Sequence, residues 1–385
     1  MRRLTAAAFA ILACASPGMP PGGPPDVAAP QILAIVPDSG RVGVTPREVI
    51  FRFDEVVNEQ PRSVTSLADL FLISPRDGAP RVSWNRDEIA VRPRGDWRPN
   101  TAYTVTMMGG LADIRGNVRN AGASTFFSTG PTLPRTRVTG LVFDWVSGTP
   151  AIGALLEAYV PPDSVRAYVA ISDSGGTFAL EHLPPGRYLV RAFVDRNKNR
   201  GIDAGEPWDS ASVTLADSSR MELFAFARDT VAPRIRDVNV VDSLSIRVSF
   251  DRPVDPAQQL TTANFAVVGR DSVPVGLAAV IVGGADAGPA RSPDTLARAA
   301  PTDTLTRPRP TMSRPRPVTE VVLRLVQPLT PAASYRIRAI GLRGLLGQVG
   351  NSERSYTAPG PVARPQPDSV PTRTSPPPTA PPVLR

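Results

Sequence analysis

The residues best suited to chemistry lie in the run Asp195-Arg196-Asn197-Lys198-Asn199-Arg200-Gly201-Ile202-Asp203-Ala204-Gly205-Glu206. Side-chain oxygens recur at its positions 1, 3, 5, 9 and 12, with an apolar residue at position 8, the spacing by which a twelve-residue loop wraps a hard divalent cation. Asp195, Asn197, Asn199, Asp203 and Glu206 would supply those oxygens and Gly201 its backbone carbonyl, so a structural Ca2+ is the cofactor expected here. Two features oppose it. Arg200 stands at position 6, where glycine normally permits a left-handed turn, and Arg196, Lys198 and Arg200 would crowd the ion with positive charge. The same run also reads as a long Asn/Asp-rich turn held by its own side-chain hydrogen bonds.

Other chemistry is poorly supplied. His182 is the only histidine and Cys14 the only cysteine, so neither a Cys-His pair with a free thiol nor a multi-histidine zinc site can be assembled. Carboxylate neighbours such as Asp54-Glu55 and Asp87-Glu88 sit on strand patterns, where adjacent side chains point to opposite faces and do not converge as two acids must for glycoside hydrolysis. Gly109-Gly110 and Gly283-Gly284 are isolated turns, not phosphate loops. No catalytic residue is assigned and the chain is expected not to be an enzyme. The net charge of +8 comes from arginines scattered among aspartates, which argues against a nucleic-acid partner. Trp97 and Trp208 fall in expected loops, where a ring could stack on a sugar or pack on the core.

The elements that must position these residues are strands. Val49-Ile50-Phe51-Arg52-Phe53, Tyr103-Thr104-Val105-Thr106-Met107, Tyr188-Leu189-Val190-Arg191-Ala192-Phe193 and Ser245-Ile246-Arg247-Val248-Ser249-Phe250 are short, β-branched or aromatic, and bounded by turn residues. No long segment has a 3.6-residue apolar period. An all-β chain of immunoglobulin-like sandwiches in series is predicted. Part of it is repeated: residues 50–58 follow onto 247–255 without gaps, and Pro99 and Tyr103 find counterparts in Pro331 and Tyr335. The larger offset of the second match is absorbed by a low-complexity insertion at 283–317. Both copies contain Gly-Asn, at Gly116-Asn117 and Gly350-Asn351, where a turn is expected before the last strand.

Many of the 44 prolines cluster outside these strands. Residues 14–28 read as a Pro/Gly tether, 283–317 as a disordered insertion and 359–385 as a disordered polyproline-like tail. Ahead of the tether, Arg2 and Arg3 precede about ten apolar residues, too few for the roughly 20 of a membrane-spanning helix. Residues 1–13 therefore read as a signal peptide. Ile11-Leu12-Ala13-Cys14 resembles the lipobox of bacterial lipoproteins, which implies cleavage before Cys14, lipidation of that cysteine and, with Ala15 after it, sorting to the outer membrane.

Two further resemblances cover the folded part. Pro37-Asp38-Ser39-Gly40, Phe53-Asp54-Glu55-Val56-Val57, Pro99-Asn100-Thr101-Ala102-Tyr103, Asp113-Ile114-Arg115-Gly116-Asn117 and Phe127-Ser128-Thr129-Gly130 resemble, in order, the bacterial Ig-like domain of the S-layer type, over 29–131. Residues 232–358 resemble it less closely. Gly140-Leu141-Val142-Phe143-Asp144, Asp173-Ser174-Gly175-Gly176 and Leu183-Pro184-Pro185-Gly186-Arg187-Tyr188 resemble the carboxypeptidase regulatory-like, prealbumin-type sandwich, over 137–228. These resemblances imply an exported, lipid-anchored, non-catalytic envelope protein acting as a structural or adhesive surface module. The rival reading is an accessory lipoprotein that binds glycan or a surface protein.

Overall fold

The computed structural model describes residues 25–283 and 310–360. The signal peptide, Cys14 and most of the tether, the bulk of the insertion and nearly all of the tail lie outside the described residues. Among the described residues almost all regular structure is strand, with two single-turn 3-10 helices. No helix among the described residues is long and apolar enough to cross a membrane. The described residues divide into two compact units, one of residues 25–142, 150–201 and 208–223, the other of 143–149, 202–207, 224–283 and 310–360.

The first unit opens with a four-stranded antiparallel sheet, Ile32–Val36, Val49–Phe53, Glu88–Arg92 and Arg81–Asn85 in spatial order, and a three-stranded sheet of Phe71–Ser74, Ala102–Met107 and Ala123–Ser128. Alternation decides which face is buried. In Val49–Phe53, Val49, Phe51 and Phe53 are buried, Arg52 is exposed and Ile50 lies between, as a two-residue period requires. Phe51 meets Phe71 of the other sheet edge to face at 5.4 Å. Trp97 packs against Tyr103 at 4.7 Å and Phe127 at 5.1 Å, so the ring considered for sugar stacking belongs to this core. The Tyr103 hydroxyl accepts the Arg98 amide at 2.8 Å, closing the turn ahead of its own strand.

The next sheet has eight strands, Thr149–Pro150, Arg137–Asp144, Ser219–Ala227, Pro207–Leu215, Gly186–Phe193, Leu155–Val160 and Asp163–Ile171 in order, with Thr177–Glu181 paired to Arg137–Asp144. Its hairpin at Asp173 works as the sequence suggests: Asp173 Oδ1 accepts the amides of Gly175 and Thr177, each at 2.8 Å, and Gly176 takes φ +72. Within the first unit this sheet is bonded to the Ig-like strands. The Arg76 amide donates to Ala167 O at 2.8 Å and the Val169 amide to Ser74 Oγ at 2.9 Å. Beside them Glu157, wholly buried, pairs with Arg76 and Arg191, each nitrogen 2.5 Å from its own carboxylate oxygen.

In the second unit, Ile235–Asp242, Ser245–Val254, Val318–Leu325 and Leu277–Val282 form one sheet, and Pro274–Val275, Phe265–Gly269, Ser334–Arg343 and Val349–Thr357 another. The first of these repeats the connectivity of the opening four-stranded sheet strand for strand. Tyr335 repeats the role of Tyr103, its hydroxyl accepting the Thr330 amide at 2.8 Å. Val57 bridges to Asp113 and Val254 to Gly344, which makes Gly344 the counterpart of Asp113. The expected turn at Gly350-Asn351 is corrected by this register. Both residues lie inside Val349–Thr357, and the turn sits earlier, where Gly347 takes φ +88 and donates to Gly344 O at 2.9 Å. Residues 310–317, assigned by composition to the disordered insertion, include fixed contacts. Trp145 Nε1 donates to Pro315 O at 2.8 Å, and the Arg314 guanidinium lies 3.6 Å from the centroid of the Trp145 ring.

Candidate functional site

The 195–201 half of the expected calcium loop leaves the strand Gly186–Phe193 and belongs to the first unit. Asp195 accepts the Asn199 amide on Oδ1 at 3.1 Å and the Arg200 amide on Oδ2 at 2.7 Å. Asn197 Oδ1 accepts the Asn199 amide at 3.0 Å, and Asn199 Oδ1 the Gly201 amide at 2.7 Å. Arg200 takes φ +61, as does Lys198. This is the left-handed turn a calcium loop demands at its sixth position, adopted here by a residue for which it costs about 1 kcal/mol or more.

What offsets that cost is outside the loop. Arg200 Nη2 donates to Asp69 O at 2.9 Å and Phe71 O at 3.0 Å, with Ala68 O at 3.4 Å. These carbonyls end the 3-10 turn Leu67–Leu70, whose start is closed by reciprocal bonds between Ser66 and Asp69. Lys198 Nζ approaches Ser63 O at 3.5 Å. Burial lowers the Arg200 pKa, with Asp69 and Asp195 opposing; a guanidinium remains charged regardless. Two of the three positive charges that argued against an ion thus reach toward backbone oxygens of the 63–71 segment. Asp203 and Glu206 belong to the second unit, where buried Glu206 accepts the Asp203 amide on Oε2 at 3.0 Å and returns its own amide to Asp203 O at 3.1 Å.

A second acidic group emerges that spacing did not reveal. Among the described residues, Asp26, Glu55 and Asp113 form a group with one carboxylate oxygen each, all within 4.8 Å of one another. Asp113 is wholly buried. Its Oδ1 accepts the amides of Arg115, Gly116 and Asn117 at 2.9, 2.6 and 2.8 Å, and its Oδ2 the Asn117 side-chain amide at 2.8 Å. Burial would raise its pKa, but these four bonds together outweigh burial and hold it below the ordinary carboxylate value. Glu55 shifts the other way, raised by burial first and then by Asp113, Asp26 and Asp54. The motif Asp113-Ile114-Arg115-Gly116-Asn117 was the legible signal for this nest; its acidic neighbours come from distant positions.

The remaining candidates are structural. His182 ends the strand Thr177–Glu181, with Nδ1 2.8 Å from Pro134 O and its ring 4.6 Å from that of Phe126. Asp54 Oδ1 accepts the Gln31 amide at 2.7 Å, and Glu88 pairs with Arg52 at 2.7 Å. Trp208 lies in the strand Pro207–Leu215, opposite Phe193.

No curated protein matches this chain. Among solved structures, the N-terminal part of the bacterial S-layer protein SbsC is 18% identical, with 34% of this chain and 24% of that one covered and a TM-score of 0.23. Domains 1–6 of SbsC are 9% identical over 88% of this chain and 55% of that one, with a TM-score of 0.20. A DUF3823 family protein from Parabacteroides merdae ATCC 43184 is 13% identical over 54% of this chain and 92% of that one, with a TM-score of 0.19. The chain thus spans about a quarter and about half of the two S-layer structures. The family comparison is local: residues 26–129 match the model of the bacterial Ig-like domain.

Proposed function

We propose that this chain is a non-catalytic structural module of the bacterial cell envelope, exported by residues 1–13, anchored by lipid on Cys14 and sorted to the outer membrane. The observation that carries the reading is how its buried charge is used. Glu157 is enclosed by Arg76 and Arg191, and Asp113 by four hydrogen-bond donors, so both serve to fix backbone and to join sheets. Enzymes hold such groups toward substrate instead. A structural Ca2+ in the 195–206 loop belongs to the same proposal. It is supported by the left-handed Arg200 and by the oxygens of Asp195, Asn197 and Asn199, and the ion would add stiffness without chemistry. The test is to express the full chain with labelled palmitate and to fractionate the membranes. Label in the outer-membrane fraction, lost with Cys14→Ser, is the expected result; an unlabelled protein released to the medium would refute the anchor.

A further inference from the structure

The Ig-like domain carries a groove that its scaffold role does not require. Arg81–Asn85 is the edge strand of the opening sheet, and on its inward face Val82 and Trp84 pack, half-buried, against the core. The chain that follows Val57 runs past them and leaves a cavity of about 570 Å³ lined by Glu59, Gln60, Arg62, Thr65 and Trp84. This lies within the roughly 300–1,000 Å³ of small-ligand sites.

Both walls are set in advance. The Trp84 indole N–H donates to Val57 O at 2.9 Å, which fixes the ring and leaves its carbon surface as what it can offer a ligand. The facing loop is tied down by the Asn58 amide to Ala112 O at 2.8 Å, by Ser63 Oγ to Gly110 O at 2.7 Å and by the Ser66–Asp69 cap. On that fixed loop the side chains of Glu59, Gln60 and Arg62 are exposed and make no hydrogen bond or ion pair among the described residues. A carboxylate, an amide and a guanidinium can each engage two adjacent hydroxyls, and the charges of Glu59 and Arg62 cancel.

We infer that this groove binds a neutral glycan, with a pyranose C–H face on Trp84 and its hydroxyl rim on Gln60, Arg62 and Glu59. An apolar ligand would make no use of these polar groups, and the cancelling charges of Glu59 and Arg62 favour neither an anion nor a cation. This goes beyond the scaffold reading and depends on neither the anchor nor calcium.

The test uses the full chain with Cys14→Ser, to keep it free of lipid, titrated with cellohexaose, maltohexaose and chitohexaose by calorimetry and tryptophan fluorescence. Saturable binding of at least one is expected, weakened about tenfold or more by Trp84→Ala and unchanged by Trp208→Ala. Trp84 also packs on the core, so Gln60→Ala/Arg62→Ala, which touches only exposed side chains, must weaken binding about tenfold too while the melting temperature holds. Absence of saturable binding to all three, or binding lost with Trp208→Ala and kept with Trp84→Ala, overturns the assignment.

Discussion

Arg200 Nη2 lies 3.0 Å from the carbonyl oxygen of Phe71, so the residue that breaks the calcium-loop pattern is also the one that ties this loop to the Ig-like domain. Removing it separates two effects. Arg200→Ala loses the bonds to three carbonyls and keeps the strained left-handed turn; Arg200→Gly loses the same bonds and relieves the strain by about 1 kcal/mol. Both should lower the melting temperature, alanine more than glycine. Hydrogen exchange should rise at Leu67–Leu70, whose terminal carbonyls lose their donor. Equal melting of the parent and both variants would show that the contact contributes nothing.

The Asp113 nest makes stability depend on acid. Its folded pKa lies below the unfolded value of about 3.9, so its contribution is fully present above that value and is lost as pH falls through the folded pKa. In Asp113→Asn, a side-chain nitrogen placed at Oδ2 would face the donating Asn117 amide, and the charge that gathers three backbone amides is gone. A loss of about 2–4 kcal/mol is expected at neutral pH. The gap between parent and variant, followed by urea unfolding from pH 7 downward, should close as Asp113 is protonated. A gap independent of pH would mean that charge plays no part.

The legibility of the chain follows the same residues. Strand alternation at Val49–Phe53 and the match of Pro99 and Tyr103 to Pro331 and Tyr335 were readable, and the structure supplies the reason for the tyrosines: each hydroxyl accepts the amide five residues earlier. The turn in the second copy was misplaced because its marker had changed. Gly344 stands where Asp113 would hold the turn, so Gly350-Asn351 looked like the motif while lying in the strand. The clasp made by Arg200 and the packing of Arg314 on Trp145 could not be read, since neither leaves a local pattern and both join residues more than a hundred positions apart.

Calcium binding is settled by titration of the full chain. A saturable heat and a rise in melting temperature are expected, both abolished by Asp195→Ala. Because Asp195 also accepts two backbone amides, this variant should melt earlier even without metal. The diagnostic quantity is therefore the calcium-dependent shift and not the melting temperature itself. A parent chain that gives neither heat nor shift leaves the loop as a hydrogen-bonded turn.

Glu157 poses the sharpest question of sign. It is the only member of its trio that is wholly buried, while Arg76 and Arg191 keep 23% and 25% of their side-chain surface in contact with solvent. Taking away Arg76 strands half of a carboxylate in a dry site, a change that typically costs about 3–5 kcal/mol. Replacing Glu157 by leucine leaves two arginines that can turn toward water and fills the site with an apolar side chain, so it should cost markedly less. Sequence alone would suggest that deleting the charged residue from Leu155–Val160 and trimming a distant arginine are comparable changes. Urea unfolding of Arg76→Ala beside Glu157→Leu decides between them, and a leucine variant less stable than the alanine variant would show that the pair contributes attraction well beyond its desolvation.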